Sequence, residues 1–256
     1  MVVRVQPIAQ RISSINQELK NKINEILNNN HISNVEIIIY HDRCEFEIYQ
    51  EDPEKGYCIR STLERSIDRV TRGRSDIERQ YLDEGSKEEI SPESSEVWEY
   101  EDILTYVSRE CGVKERAITI FGQYKCSDNS ILEIARTPRI EIFAGCLTYF
   151  NLYRDKYYVR KALADVLAHE LIHHLQFRKV REFIINNKEN RMRLRIIVNP
   201  PKCNAYREVD YWYRPHEVEA REKESMLGDY LLEVPELREL LNELASALVN
   251  SRKPRS

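Results

Sequence analysis

The chain has 256 residues, of which 41% are apolar, enough for one large domain or two small ones around a substantial core. Charged residues make up 32%, the net charge is only -4 and glycine occurs 7 times, so the composition predicts helix-rich structure with a well-solvated surface and excludes neither nucleic-acid nor protein partners. Met1 to Pro7 lacks the apolar stretch of a signal peptide and no later run approaches a membrane span, which predicts a cytoplasmic protein with no membrane partner.

Ile8, Ile12, Ile15, Leu19, Ile23, Ile26 and Leu27 recur at three- and four-residue intervals, the pattern of an amphipathic helix. Val35 to Tyr40 and Cys44 to Tyr49 are β-branched and aromatic around His41-Asp42-Arg43, and together they predict a hairpin. Ile59 to Tyr81 returns to a charged helical pattern. Asp83 to Asp102 then carries nine acidic residues against one basic, with Gly85, Pro92 and several serines, which predicts a linker near residues 83–97. The expected division is therefore an N-terminal α/β-patterned region, 1–97, of no assigned role, and a second domain, 98–256.

In the second part the pattern runs helix (Ile103 to Cys111), strand (Ala117 to Phe121) and two extended runs, Ile131 to Ile134 and Ile140 to Phe143, which imply a small mixed sheet. Tyr157 to Arg178 is the clearest helix. Pro215 opens another, since proline suits the first helical turn, and Val234-Pro235 separates it from a last helix ending near Asn250. The tail, Ser251 to Ser256, is short and basic and is expected to fray. The six cysteines form no C-x-x-C pair, so reduced thiols are expected, except in a hyperthermophile, where cytosolic disulfides occur.

The clearest helix carries His169-Glu170-Leu171-Ile172-His173. Residues four apart stand one above the other on a helix, so both imidazoles can reach a single ion. The carboxylate of Glu170 beside them is placed to act as general base on an attacking water. Leu163, Val166, Leu167, Leu171 and Leu175 form an apolar stripe that would bury this helix, with the histidines at its border. His174 is turned about 100° from His173 and reads as a core or surface histidine.

A catalytic zinc needs a third protein ligand. Pro215 puts Glu217 in a first helical turn, where its carboxylate can swing toward a neighbouring helix, while Glu219 faces about 200° further round. His216 is the remaining alternative. The first turn also favours acidic residues through the helix dipole alone, without any metal.

The pair of His169-Glu170-Leu171-Ile172-His173 with the downstream Glu217-x-x-Ala220 resembles the gluzincin branch of zinc peptidases, particularly the minigluzincin and ImmA/IrrE-like families. The resemblance covers about Arg139 to Glu224. It implies an α+β, zincin-like catalytic domain with a small mixed sheet, an active-site helix and a C-terminal helical part. It further implies that His169, His173 and Glu217 hold Zn2+, that Glu170 is the general base, and that protein or peptide is the substrate. The strand Pro138 to Phe143 would be the edge strand that holds extended substrate. Where such families often place Asp or Asn to support the first histidine, this chain has Arg221, so His169 needs another partner, for which Asp165 is a candidate.

The segment Arg178 to Arg214 reads as a basic insertion, with ten Lys or Arg against four acidic residues and an aromatic cluster of Tyr206, Tyr211, Trp212 and Tyr213. Such a run can bind nucleic acid, although a solvated surface is the commoner outcome. Tyr211 or Tyr213 could also donate a hydrogen bond to an oxyanion. Two alternatives to the peptidase stay open: a SprT-like, DNA-associated protease with His216 as third ligand, and a non-catalytic nucleic-acid or protein interaction module with a structural metal, closed by a residue such as Cys203.

Overall fold

A computed structural model describes residues 8–41, 45–46, 54, 58, 61–62, 109–112, 119–125, 138–145, 156–198 and 213–251. The chain divides into two compact units: Met1–Arg43 with Phe121–Ser256, and Cys44–Ile120. The N-terminal helix and strand thus belong with the helix that carries His169 and His173 rather than with a separate N-terminal region. The boundary expected at 97/98 and the acidic linker at 83–97 lie outside the described residues, as do the run Ile131 to Ile134 and most of the helices expected over Ile59 to Tyr81 and Ile103 to Cys111. Residues 252–256 of the tail also lie outside them.

In the first unit, α1 (Ile8–Asn29) buries Ile12, Ile15, Leu19, Ile23 and Leu27 along one stripe. It ends where His31 takes a left-handed backbone (φ 59°) and the Leu27 carbonyl accepts the Asn30 and Ile32 N–H groups. The Asn24 side chain then fastens both backbone groups of Val35, at 3.0 and 2.9 Å, and so aims the chain into β1 (Glu36–Tyr40). β1 runs parallel to β5 (Arg139–Phe143), whose other side pairs antiparallel with β4 (Gly122–Lys125). The sheet order is β1-β5-β4, and Ile140 to Phe143 are all buried. This corrects the expectation for Pro138 to Phe143: the strand lies inside the sheet, and among the described residues β4 takes an edge.

Leu167 to Gln176, ten consecutive residues of α2 (Lys156–Phe177), are buried, so this helix is enclosed on every side. That is the burial expected of an apolar helix at the centre of a domain, yet five of the ten are His169, Glu170, His173, His174 and Gln176. Polar groups removed from water cost several kcal/mol each unless paired, so the packing around α2 must supply partners. After Lys179, which is left-handed at φ 56°, the chain forms a hairpin of β6 (Glu182–Asn186) and β7 (Arg191–Arg195). Phe183, Ile185, Met192 and Leu194 are buried beneath it. The expected basic insertion is therefore, in its described part, a two-stranded sheet with one apolar face. Pro215 opens α3 (Pro215–Glu233), which packs along α2, and α4 (Pro235–Ser251) closes the bundle against α1 and α2.

In the second unit, β2 (Glu45–Phe46) pairs antiparallel with β3 (Thr119–Ile120); the rest of the strand expected over Cys44 to Tyr49, and the turn that would join it to Val35 to Tyr40, lie outside the described residues apart from His41. Cys58 and Cys111 are disulfide-bonded with Cα atoms 5.7 Å apart, which corrects the expectation of reduced thiols for this pair. Among the described residues, no helix is long and apolar enough to cross a membrane.

Candidate metal centre

α2 and α3 bring three donor atoms together. His169 Nε2 lies 3.0 Å from His173 Nε2 and 3.2 Å from Glu217 Oε2, and His173 Nε2 lies 3.3 Å from the same oxygen. All three residues are buried, and among the described residues they are the group of three whose donor atoms could hold a metal ion. Tetrahedral bonds of about 2.0–2.1 Å to N and O set donor atoms roughly 3.3–3.4 Å apart, so the triangle already has close to the edge lengths that a zinc-sized ion requires. The donor set of two imidazoles and one carboxylate suits such an ion as well.

The other nitrogen of each imidazole is held too. Glu224, two turns after Glu217 on the same face of α3, places Oε2 2.6 Å from His169 Nδ1. A carboxylate only accepts, so Nδ1–H donates and Nε2 is the nitrogen turned to the triangle. For His173 the partner is Gln176 Oε1, at 2.9 Å. The Gln176 amide nitrogen donates to the His216 carbonyl at 3.0 Å and to Glu219 Oε2 at 2.9 Å, so its oxygen is the end left to accept from His173. Both rings are thereby held with Nε2 as the nitrogen presented for metal ligation. Asp165, the candidate partner for His169, instead pairs with Lys161 at 2.5 Å.

Burial alone would push the Glu217 carboxyl up, but hydrogen bonds from His169 and His173 hold it far below the usual carboxylate range. Burial acts on His169 in the opposite sense, and its bonds to Glu217 and Glu224 prevail, so that it is pushed up to about 10. An ion in the triangle would take the place of that proton.

Glu170 is buried on the side of α2 that meets β4. Its carboxyl is pushed above the usual range by burial, against the pull of His169 and His173, and the Tyr124 backbone N–H donates to it. The approach is close because residue 122 is glycine: a Cβ there would stand 2.7 Å from Glu170 Oε1 and 2.8 Å from Val166 Cγ1. Tyr124 also anchors the core with its hydroxyl 3.2 Å from His174 Nδ1, while His174 Nε2 donates to the Ser33 carbonyl at 2.9 Å. With that bonding His174 is a buried structural histidine, held neutral by burial at about 4.

Glu219 is buried but turned away from the triangle. Its carboxylate accepts from Ile197 N–H at 2.6 Å, Val198 N–H at 3.0 Å, Gln176 and Lys223. It thus ties the segment leaving the hairpin to the residue that orients His173. His216 packs edge-on against His173, ring centroids 5.6 Å apart, with Nε2 3.5 Å from the outer Glu217 oxygen, and is not one of the three convergent donors. Tyr213 is 74% exposed, and Tyr206, Tyr211, Trp212 and Cys203 lie outside the described residues.

The residues that sequence reasoning missed are Gln176, Glu224 and Gly122. Spacing held a signal for two of them, since Gln176 follows His173 by three residues and Glu224 follows Glu217 by seven. No protein-family model, no curated protein and no solved structure matches the chain.

Proposed function

We propose that the chain is a zinc-dependent metallopeptidase with a zincin-like catalytic unit of the gluzincin type, in which His169, His173 and Glu217 hold the ion and Glu170 is the general base. The observation that carries this reading is the buried triangle of His169, His173 and Glu217 with a carboxyl of raised pKa, Glu170, next to it on the same helix. When bound, zinc supplies Lewis acidity toward a carbonyl oxygen and lowers the pKa of water. Glu170, whose carboxylate is made a stronger base by burial, takes the proton from the attacking water and returns it to the leaving amine. The Tyr124 N–H holds that carboxylate in place from β4. As an edge of the sheet among the described residues of the first unit, β4 offers backbone groups to an extended peptide beside Glu170, which makes protein or peptide the natural substrate class.

The test is zinc content by elemental analysis alongside peptide hydrolysis, for the wild type, Glu170→Ala and Glu217→Ala. One zinc per chain is expected in the wild type and in Glu170→Ala, with hydrolysis lost from the latter, and neither zinc nor hydrolysis in Glu217→Ala. A wild type that binds no zinc near neutral pH refutes the assignment. Zinc that stays bound in Glu217→Ala refutes the third ligand.

A further inference from the structure

The hairpin that sequence alone presents as a basic insertion has two different faces. The buried face holds Phe183, Ile185, Met192 and Leu194. The opposite face of β7 carries Arg191, Arg193 and Arg195, all exposed, at every second position. Alternate residues on a strand are about 6.8 Å apart on one side of the sheet, comparable to the step between successive phosphates of an extended nucleic-acid strand. Arg181 adds a fourth cation where the hairpin begins. With Arg195, Glu182, Ile196 and Ile197 it lines an open cavity of about 540 Å³ at the end of the row. From Arg181 to Arg195 the chain has five basic and two acidic residues, a net positive segment in a protein of net charge -4.

The row is held rigidly. Asn30 bonds both backbone groups of Ile184, at 2.8 and 2.9 Å, and so fixes β6 to the end of α1. At the other end Lys223 donates to the Arg195 carbonyl, and Glu219 accepts from Ile197 and Val198. Cations mounted on a fixed strand lose little freedom on binding, which favours a ligand with evenly spaced anions. Because the Arg195 carbonyl is already occupied, the outer edge of β7 is closed to strand addition at that end, and this disfavours a peptide that docks by backbone pairing.

The neighbouring row on the same face is Glu182, Ile184 and Asn186, paired across the sheet with Arg195, Arg193 and Arg191. It is acidic at one end, where Glu182 stands 3.7 Å from Arg193, and half-buried and apolar in the middle. Only one line of phosphates is therefore matched, with apolar surface beside it for sugars and bases, whereas a duplex presents two lines. We infer that the outward face of the β6–β7 hairpin binds the backbone of single-stranded nucleic acid through Arg191, Arg193 and Arg195. Arginine's planar fork suits phosphate, and the bases are left unread, so the binding is sequence-tolerant.

The experiment is fluorescence anisotropy of a labelled oligothymidylate of about 20 nucleotides titrated with the full chain across a salt series, in the presence of chelator so that the outcome is independent of the metal reading. Removing one arginine–phosphate pair lowers the log–log salt slope on a single strand by about 0.7, so Arg191→Ser/Arg193→Ser lowers it by about 1.4 and weakens binding at least about tenfold at low salt. Both side chains face solvent, and an unchanged melting temperature checks the fold. Arg191→Lys/Arg193→Lys keeps the charge and is expected to keep the slope. The charge-matched control Arg11→Ser/Arg238→Ser, at exposed positions on α1 and α4, is expected to change affinity less than about twofold. The inference is overturned if the wild type does not bind, if the control loses as much as the hairpin variant, or if polyglutamate or duplex DNA displaces the oligonucleotide as well as unlabelled single strand does.

Discussion

Gln176 stands between the two helices of the metal centre, and its replacement by Met isolates what it contributes. Methionine matches its length and bulk but neither donates nor accepts a strong hydrogen bond. The substitution strips the partner from His173 Nδ1–H and one donor from each of the His216 carbonyl and Glu219 Oε2. Glu219 keeps its bonds from Ile197, Val198 and Lys223, so the penalty falls mainly on His173. Leaving a buried N–H without a partner costs about 1–3 kcal/mol, part of it expressed as lost stability. Partners of this kind typically change metal affinity by about 10–100-fold, which is roughly 1.4–2.8 kcal/mol. Zinc affinity measured by competition with a chromophoric chelator is therefore expected to fall at least tenfold in Gln176→Met, while the metal-free protein melts only a few degrees lower. A variant that binds zinc within about twofold of wild type would show that the Gln176 amide does not orient His173.

Glu224→Ala is expected to weaken zinc about tenfold in the same competition, whereas Asp165→Ala, which removes one of the partners of Lys161 instead, is expected to leave it unchanged. Gly122→Ala places a methyl group against Glu170 and Val166, so hydrolysis should fall at least about tenfold with zinc content intact. Full activity in that variant would mean that Glu170 need not hold its present position. In the metal-free protein the raised His169 value contributes stability that is complete below about pH 6.5 and is lost as pH rises through about 10. Glu217, held low, contributes stability above about pH 4.5 that is lost as pH falls. Melting temperature without metal should then decline from about pH 7 to pH 10, and calorimetry near pH 7 should show about one proton released per zinc bound.

The sequence made the helices legible because each carries a 3.6-residue apolar pattern or a proline at its start, as Pro215 and Pro235 show. His169, His173 and Glu217 could be picked out because a helix fixes side-chain direction from spacing alone. What spacing along one helix leaves open is the register of two helices against each other, and this register decides that Glu224 rather than Asp165 reaches His169. β4 was hidden for a different reason. Gly-Gln-Tyr-Lys has no apolar alternation, and its place is set by pairing with β5 and by the close approach of α2. In the hairpin, Arg-Met-Arg-Leu-Arg does alternate with period two, but counting charge over the whole segment concealed the pattern.

The pairing of β1 with β5 also constrains the order of events during synthesis. Glu36 and Arg139 are partners separated by 103 positions in the chain, and the whole of the second unit is encoded between them. A nascent chain therefore releases α1 and the β-branched β1 while the strand that will cover them is still unmade, and the second unit has emerged before the first can close. Closing so long a loop costs entropy that grows only slowly with its length, so the inserted unit can be lengthened or shortened with little effect on the register of the sheet around it.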